Sequence, residues 1–143
     1  MQLCGTWSCW WAFHLCKTAA GSAGETAGVV TIDDVRDITS RFPAAYEQAS
    51  YGGRPSWRTK VRSFAWVRDE PEALVVWVGS VEEKLALIES EPGKFFTTAH
   101  YDGHPVVLVR LDGVDRAEAG ELIEESFRLR APKRLVAELD RDK

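Results

Sequence analysis

Cysteine is scarce in this sequence and confined to its start. All three cysteines, Cys4, Cys9 and Cys16, fall within the first 16 of the 143 residues. The rest of the chain therefore has no thiol for a disulfide or a thiolate metal site, a usage that fits a reducing cytoplasm. The spacing of the three cysteines and His14 also differs from the paired-ligand patterns of zinc sites. We predict a cytoplasmic protein without a metal.

An excess of positive charge is also lacking. The chain has 18 Lys and Arg against 22 Asp and Glu, and its formal net charge is −4. Proteins that coat nucleic acid by bulk electrostatics present a cationic surface. Any contact with nucleic acid must therefore come from a local group of cations.

Long apolar runs are absent as well. The apolar stretch from Trp7 to Cys16 is too short to span a bilayer, and no cation precedes it as in a secretory signal. An Ala/Gly/Ser/Thr-rich stretch follows it. We predict that residues 1–28 are a disordered extension or upstream-translated sequence, and that residues 29–143 form one domain with no membrane contact.

The short motifs of common enzyme classes are missing. We find no P-loop, dinucleotide-binding glycine fingerprint, nucleophile elbow or paired zinc-ligand motif. His100, Tyr101, Asp102 and His104 form the densest group of reactive side chains, a combination that can bind a metal or transfer a proton. On a two-residue turn, however, the two histidines would not oppose each other, and Asp102 would be needed for the turn itself. We predict a non-enzymatic protein without a cofactor, in which this group is a contact surface.

Three helices are indicated by capping residues and apolar periodicity. The first begins at Thr31 and ends near Pro43, and the third begins near Asp115 and bends or ends at Pro132. The second begins at a capping box, and its predicted apolar stripe consists of Val81, Leu85 and Ile88.

Five strands fit between these helices. Ser56–Thr59 and Ser63–Val67 flank a basic turn and predict a first hairpin, and the valine-rich run Ala73–Val78 predicts a strand inside the sheet. Two further strands follow the second helix. The order α-β-β-β-α-β-β-α predicts an α+β domain of two layers, with a mostly antiparallel five-stranded sheet.

The last two strands predict a second hairpin. Phe95–His100 and Pro105–Leu111 flank the sequence Tyr-Asp-Gly-His. Asp102 and Gly103 suit a type I′ turn, in which both central residues have positive φ. We therefore expect a tight turn between two strands of about equal length.

Three segments carry a resemblance to a known family. They are GGRPSWRTKVRSFAWV at Gly52–Val67, ESEPGKFFTTAHYDGHPVVLVRLDG at Glu89–Gly113 and APKRLVAEL at Ala131–Leu139. The sequence resembles the MmcQ/YjbR family from about Thr31 to Leu139. The resemblance implies a compact α+β fold similar to that of secretion chaperones, and DNA binding through a double-wing arrangement of hairpins. The turn at residues 60–62 lacks the glycine often found there, and Arg54 replaces a common histidine.

A local group of cations lies in the first hairpin. Several basic residues follow one another before any acid, with aromatic residues between them. Cations can bind phosphates while an exposed aromatic ring stacks on a base, although the same rings also suit a protein core. A second cationic stretch, with Arg128, Arg130, Lys133 and Arg134, ends the last helix. For double-stranded DNA we predict contacts from Arg54, Trp57, Arg58, Lys60, Arg62, His100, Tyr101 and His104.

The net acidity supports an alternative function. A sheet face that presents Trp57, Trp66 and Trp77 would suit a module that binds a protein or a small molecule, without nucleic acid. An open, concave and apolar sheet face would favour this alternative. A covered sheet with a cationic hairpin would favour DNA.

Overall fold

The core of the domain is an antiparallel sheet. The computed structural model describes residues 29–50, 52–69 and 72–142. Within these ranges six strands are present: β1 (Tyr46–Ala49), β2 (Pro55–Arg58), β3 (Ser63–Arg68), β4 (Ala73–Trp77), β5 (Phe95–Phe96) and β6 (Val106–Val109). Their order in the sheet is β1-β2-β3-β4-β6-β5, and all neighbouring strands are antiparallel.

Four α-helices accompany the sheet in the described part of the chain: α1 (Ile32–Thr39), α2 (Val81–Ser90), α3 (Arg116–Arg130) and α4 (Lys133–Arg141). The predicted starts of α1 and α3 are confirmed in detail. The Thr31 hydroxyl accepts from the Asp34 N–H, and the Asp34 carboxylate accepts from the Thr31 N–H. Asp115 and Glu118 form the same reciprocal cap on α3. These caps satisfy N–H groups that have no partner inside the helix.

The predicted α+β class and antiparallel sheet are confirmed, with one strand and one helix more than predicted. All four residues of β1 are exposed, so this edge strand has no apolar alternation to reveal it. Pro132 ends α3 as expected, but α4 begins directly after it. A proline is tolerated at this position because the first N–H groups of a helix need no partner within the helix.

The predicted apolar stripe of α2 is wrong at Leu85, while Ile88 packs against the core as predicted. Lys84 and Leu87 are buried on this helix, whereas Leu85 is 54% exposed. The buried stripe therefore contains a lysine. A pattern of apolar residues could not reveal it, because the burial of Lys84 depends on carbonyl groups from a distant loop.

The second hairpin also differs from the prediction. Only Phe95–Phe96 pairs with β6, and a 3₁₀ turn at Ala99–Tyr101 occupies the segment predicted as strand. Asp102 has φ −57° and ψ 133°, while Gly103 has φ +78°, so the turn is of type II and not type I′. The His104 N–H closes it on the Tyr101 carbonyl at 3.1 Å. Contacts with α2, described below, hold this longer loop.

The larger core lies between the sheet and the helices. Strand register places Trp57 beside Ala65, and Ala65 beside Val76, on this side of the sheet. Phe127 of α3 packs on them through a cluster in which its ring centroid lies 5.2 Å from that of Phe64. The helices are therefore fixed to one face, and the opposite face is left to a different set of side chains.

Candidate functional site on the open face of the sheet

The face of the sheet opposite the main core, here called the open face, is defined by a row of side chains across six strands. Strand pairing gives this row as Gln48, Ser56, Trp66, Val75, Leu108 and Phe96. Val75 and Leu108 are fully buried in a small second core. The partly exposed rings packed against that core are those of Trp66, Trp77, Phe96 and Tyr101. The open face therefore presents aromatic rings at its surface.

A groove of about 630 Å³ crosses the open face above β1, β2 and β3. Arg58 lines it from β2, Trp66 and Arg68 from β3, and His100 and Tyr101 from the 3₁₀ turn. The Trp66 Nε1–H donates to the Tyr101 hydroxyl at 3.3 Å, so the 3₁₀ turn forms one wall of the groove. Folding thus brings four of the predicted site residues, Arg54, Arg58, His100 and Tyr101, into one concave surface.

Lys84 holds the wall of the groove in place. This side chain is 1% exposed, and its Nζ donates to the Tyr101 carbonyl at 2.6 Å and to the His104 carbonyl at 3.0 Å. Burial lowers the pKa of Lys84, and the charge of Asp102 opposes that shift only in part. The 97–105 loop is therefore fastened to α2. The predicted apolar stripe of α2 did not include this lysine, because a charged residue gives no apolar signal.

Burial removes one predicted contact residue from the surface, and ion pairs engage another. Trp57 is 1% exposed and faces the helices, because its register beside Ala65 turns its ring into the main core. It has no surface with which to contact DNA. Arg54 lines the groove, but its guanidinium pairs with Asp69 at 3.0 Å and with Glu72 at 2.7 Å. Its charge is therefore compensated within the protein.

The turn of the first hairpin keeps its cations at the surface. Lys60, Val61 and Arg62 are exposed, and Val61 has 61% of its surface accessible. The buried Thr59 hydroxyl accepts from the N–H groups of Val61 and Arg62 at 3.3 and 3.4 Å. No residue of this turn has positive φ, so the glycine that the family often has here is not required.

His104 lies apart from the other predicted contacts. It is exposed at the type II turn and does not line the groove. Its carbonyl accepts from the Lys84 amine, so its backbone helps to hold the loop. Within residues 29–50, 52–69 and 72–142, no group of three or more His, Cys, Asp or Glu side chains is placed to hold a metal ion.

Cations stacked on the aromatic rings are the feature that the predicted set of contacts omitted. The guanidinium carbon of Arg130 lies 3.9 Å from the Trp77 ring centroid. That of Arg110 lies 4.3 Å from the Phe96 ring centroid. Arg68 lies 5.9 Å from the Tyr101 centroid. The strand alternation of Trp66 and Arg68 indicates that both share a face, but only the folded chain brings Arg130 to β4.

Comparison with known proteins agrees with this architecture. A family model described as YjbR matches residues 40–129. That stretch includes the sheet, the groove and most of α3. The chain belongs to the YjbR family. The predicted resemblance is thereby confirmed, together with the fold class.

Relatives of this YjbR chain carry no described activity. It is 37% identical over 125 residues to "Uncharacterized protein Rv2570" of Mycobacterium tuberculosis and "Uncharacterized protein Mb2600" of Mycobacterium bovis, covering 76% of this chain and 94% of each relative. A solved structure, Deinococcus radiodurans protein DR2400 with a DUF419 domain, matches at a TM-score of 0.63 and 25% identity. That match covers 80% of this chain and 91% of the other. Among the described helices, none has the length and apolar character needed to cross a bilayer.

Proposed function

We propose that this protein is a cytoplasmic, non-enzymatic DNA-binding protein that contacts the duplex with the β2–β3 hairpin. The observation that carries the proposal is a difference in charge compensation. Arg36, Arg54, Arg116 and Arg128 are each ion-paired. Arg58, Lys60 and Arg62 have no ion pair with any acid in the described ranges, although acids outnumber cations in the chain. Cations that form no ion pair within the protein can bind phosphates without first breaking such a pair.

The shape of the hairpin supports the same proposal. Val61 is exposed at the tip between Lys60 and Arg62. Minor-groove binding proteins often combine an apolar wedge with flanking cations, because the wedge separates base steps while the cations hold the phosphates. Behind the tip, Arg58 and the wall of the groove at His100 and Tyr101 extend the contact surface over the open face.

A titration of a fluorescently labelled duplex, followed by anisotropy at low and at physiological salt, tests this function. We expect binding that weakens steeply as salt rises, because each phosphate contact releases a condensed counterion. A single strand of the same sequence separates duplex recognition from stacking of unpaired bases on the open face. If neither the duplex nor the single strand binds at micromolar protein concentration and low salt, the proposal is contradicted.

The groove is the open, concave sheet face expected of a module that binds a small molecule, and it supports a second candidate function, the binding of a small anionic molecule. Its volume of about 630 Å³ lies within the range of about 300–1,000 Å³ that ligand sites occupy. Trp66 and Tyr101 offer aromatic surface, and Arg58 offers a positive charge. Native mass spectrometry of protein purified from its host tests this candidate, since a retained ligand adds mass that denaturation removes.

A further inference from the structure

A second group of donors lies on the open face, at the end of β4. Arg130 is the last residue of α3, and its guanidinium stacks on the Trp77 ring with 3.9 Å between the guanidinium carbon and the ring centroid. Two buried N–H groups at this contact, Nε of Arg130 and Nε1 of Trp77, have no hydrogen-bond acceptor in the described part of the protein. Buried donors are nearly always paired in folded proteins, so two adjacent exceptions point to a missing acceptor.

The backbone of Arg62 lies close to this contact in the fold. The Ser126 hydroxyl of α3 donates to the backbone carbonyl of Phe64 in β3. The same hydroxyl accepts from the backbone N–H of Trp77 in β4 at 2.8 Å. Arg130 follows Ser126 by one helical turn, and Arg62 precedes Phe64 by two residues. The nearby charge of Arg62 adds to burial in lowering the pKa of Arg130.

The charges of Arg62 and Arg130 are not compensated within the protein. Neither residue has an ion pair within residues 29–50, 52–69 and 72–142. Arg128, two residues earlier on the same helix, is held by Glu124 at 2.9 Å and Asp140 at 2.6 Å. Stacking on Trp77 accounts for the position of Arg130. It does not account for the two unpaired donors at this contact.

We propose that Arg62, Arg130 and Trp77 form a binding site for a phosphate group, either a free phosphate or monoester or a phosphodiester of nucleic acid. Two guanidinium groups offer forked N–H donors that match the oxygen atoms of phosphate, and an anion between them removes their mutual repulsion. The site adds α3 to the proposed DNA interface and thereby deepens it. It shares Arg62 with that interface, but free phosphate tests it apart from duplex binding.

The indole N–H signal of Trp77 in an amide correlation spectrum reports directly on this site. The full chain contains six tryptophans, and the variant Trp77→Phe identifies the signal by its loss. Titration with sodium phosphate, against sodium chloride at equal ionic strength, should give a saturable shift of that signal. Arg62→Gln and Arg130→Gln should each weaken the phosphate affinity by about tenfold. Arg41→Gln, at an exposed cation just after the end of α1 and with the same change in charge, should leave it unchanged.

Each outcome has a defined meaning. The site would be overturned by a shift that does not saturate, that chloride reproduces, or that persists unchanged in Arg62→Gln. Because Arg62 is exposed, its substitution should not prevent folding. Saturable phosphate binding without duplex binding would keep the site and reject the DNA function. Duplex binding that Arg130→Gln leaves unchanged, together with no phosphate binding, would keep the DNA function and reject the site.

Discussion

At the scale of single residues, Ser126 is the buried polar group with the most consequence for the sheet. It is fully buried, and its hydroxyl forms hydrogen bonds with the backbone carbonyl of Phe64 and the backbone N–H of Trp77. Helical periodicity places Ser126 on the same face of α3 as Leu122, Ile123 and Phe127, which are all buried. It could not show that the hydroxyl bridges two strands, because both partners are backbone groups whose position depends on strand pairing.

The variant Ser126→Ala should therefore destabilise the fold. It leaves two buried backbone groups without a partner, and we expect the free energy of unfolding to fall by about 2–4 kcal/mol. Ser40→Ala is the matched control, because this exposed serine donates only to the Asp37 carbonyl of its own helix. Urea unfolding followed by tryptophan fluorescence measures both. A loss below about 0.5 kcal/mol for Ser126→Ala would contradict the role assigned to it.

Lys94 is a second residue whose effect can be measured. Its Nζ lies 2.6 Å from the Glu118 carboxylate and 3.1 Å from that of Glu91, and Glu118 is only 6% exposed. Lys94→Met removes the cation from a buried carboxylate, so we expect a loss of about 3 kcal/mol of unfolding free energy near neutral pH. Lys133→Met, at an exposed position, should change it little.

The pH dependence of the Lys94 effect follows from its pKa. Burial lowers the pKa of Lys94, but hydrogen bonds to Glu118 and Glu91 raise it by more, so the net value lies above the ordinary 10.5. The stabilisation is then fully present below pH 10.5 and is lost as the pH rises through the raised pKa. The difference in unfolding free energy between the wild type and Lys94→Met should stay constant through neutral pH and shrink only above pH 10.5. A difference that grows with pH would contradict this assignment.

At the scale of elements, the helix starts were predictable because capping is local. Thr31 with Asp34 and Asp115 with Glu118 lie within four residues of each other, and the same contacts form in the structure. Strand β1 and the loop before β6 were not predictable. Strand β1 is stabilised by pairing with β2 at an exposed edge of the sheet. The loop before β6 is held by the amine of Lys84, which belongs to α2. Neither cause leaves a periodic signal in the sequence.

The role of α2 in holding the 97–105 loop gives a prediction at the same scale. Lys84→Met removes both bonds to the loop carbonyls, so the amides of residues 101–104 should exchange with solvent faster while those of β4 stay protected. Leu85→Ala, at an exposed position on the same helix, should leave the loop unchanged. Hydrogen exchange followed by mass spectrometry separates the two segments. Equal acceleration throughout the sheet would show that Lys84 supports the whole fold and not this loop.

At the scale of the whole molecule, the sequence located the cations but not their partners. Arg54 and Arg58 are both part of one basic run, yet only the fold brings Asp69 and Glu72 to Arg54. Trp57 differs from Trp66 only in which side of the sheet it faces. Arg130 lies far from the first hairpin in sequence and reaches the open face because Ser126 fixes α3 to β3 and β4. The candidate site is therefore a product of topology.

The salt dependence of duplex affinity in two charge-matched variants tests the central claim most directly. Arg58→Gln/Arg62→Gln removes two cations from the open face, and Arg36→Gln/Arg41→Gln removes one from α1 and one from the turn directly after it. The first variant should bind DNA more weakly and lower the slope of log affinity against log salt by about two, whereas the second should match the wild type apart from a small uniform loss. Equal losses in both variants, or an unchanged slope in the first, would show that the β2–β3 hairpin is not the DNA interface.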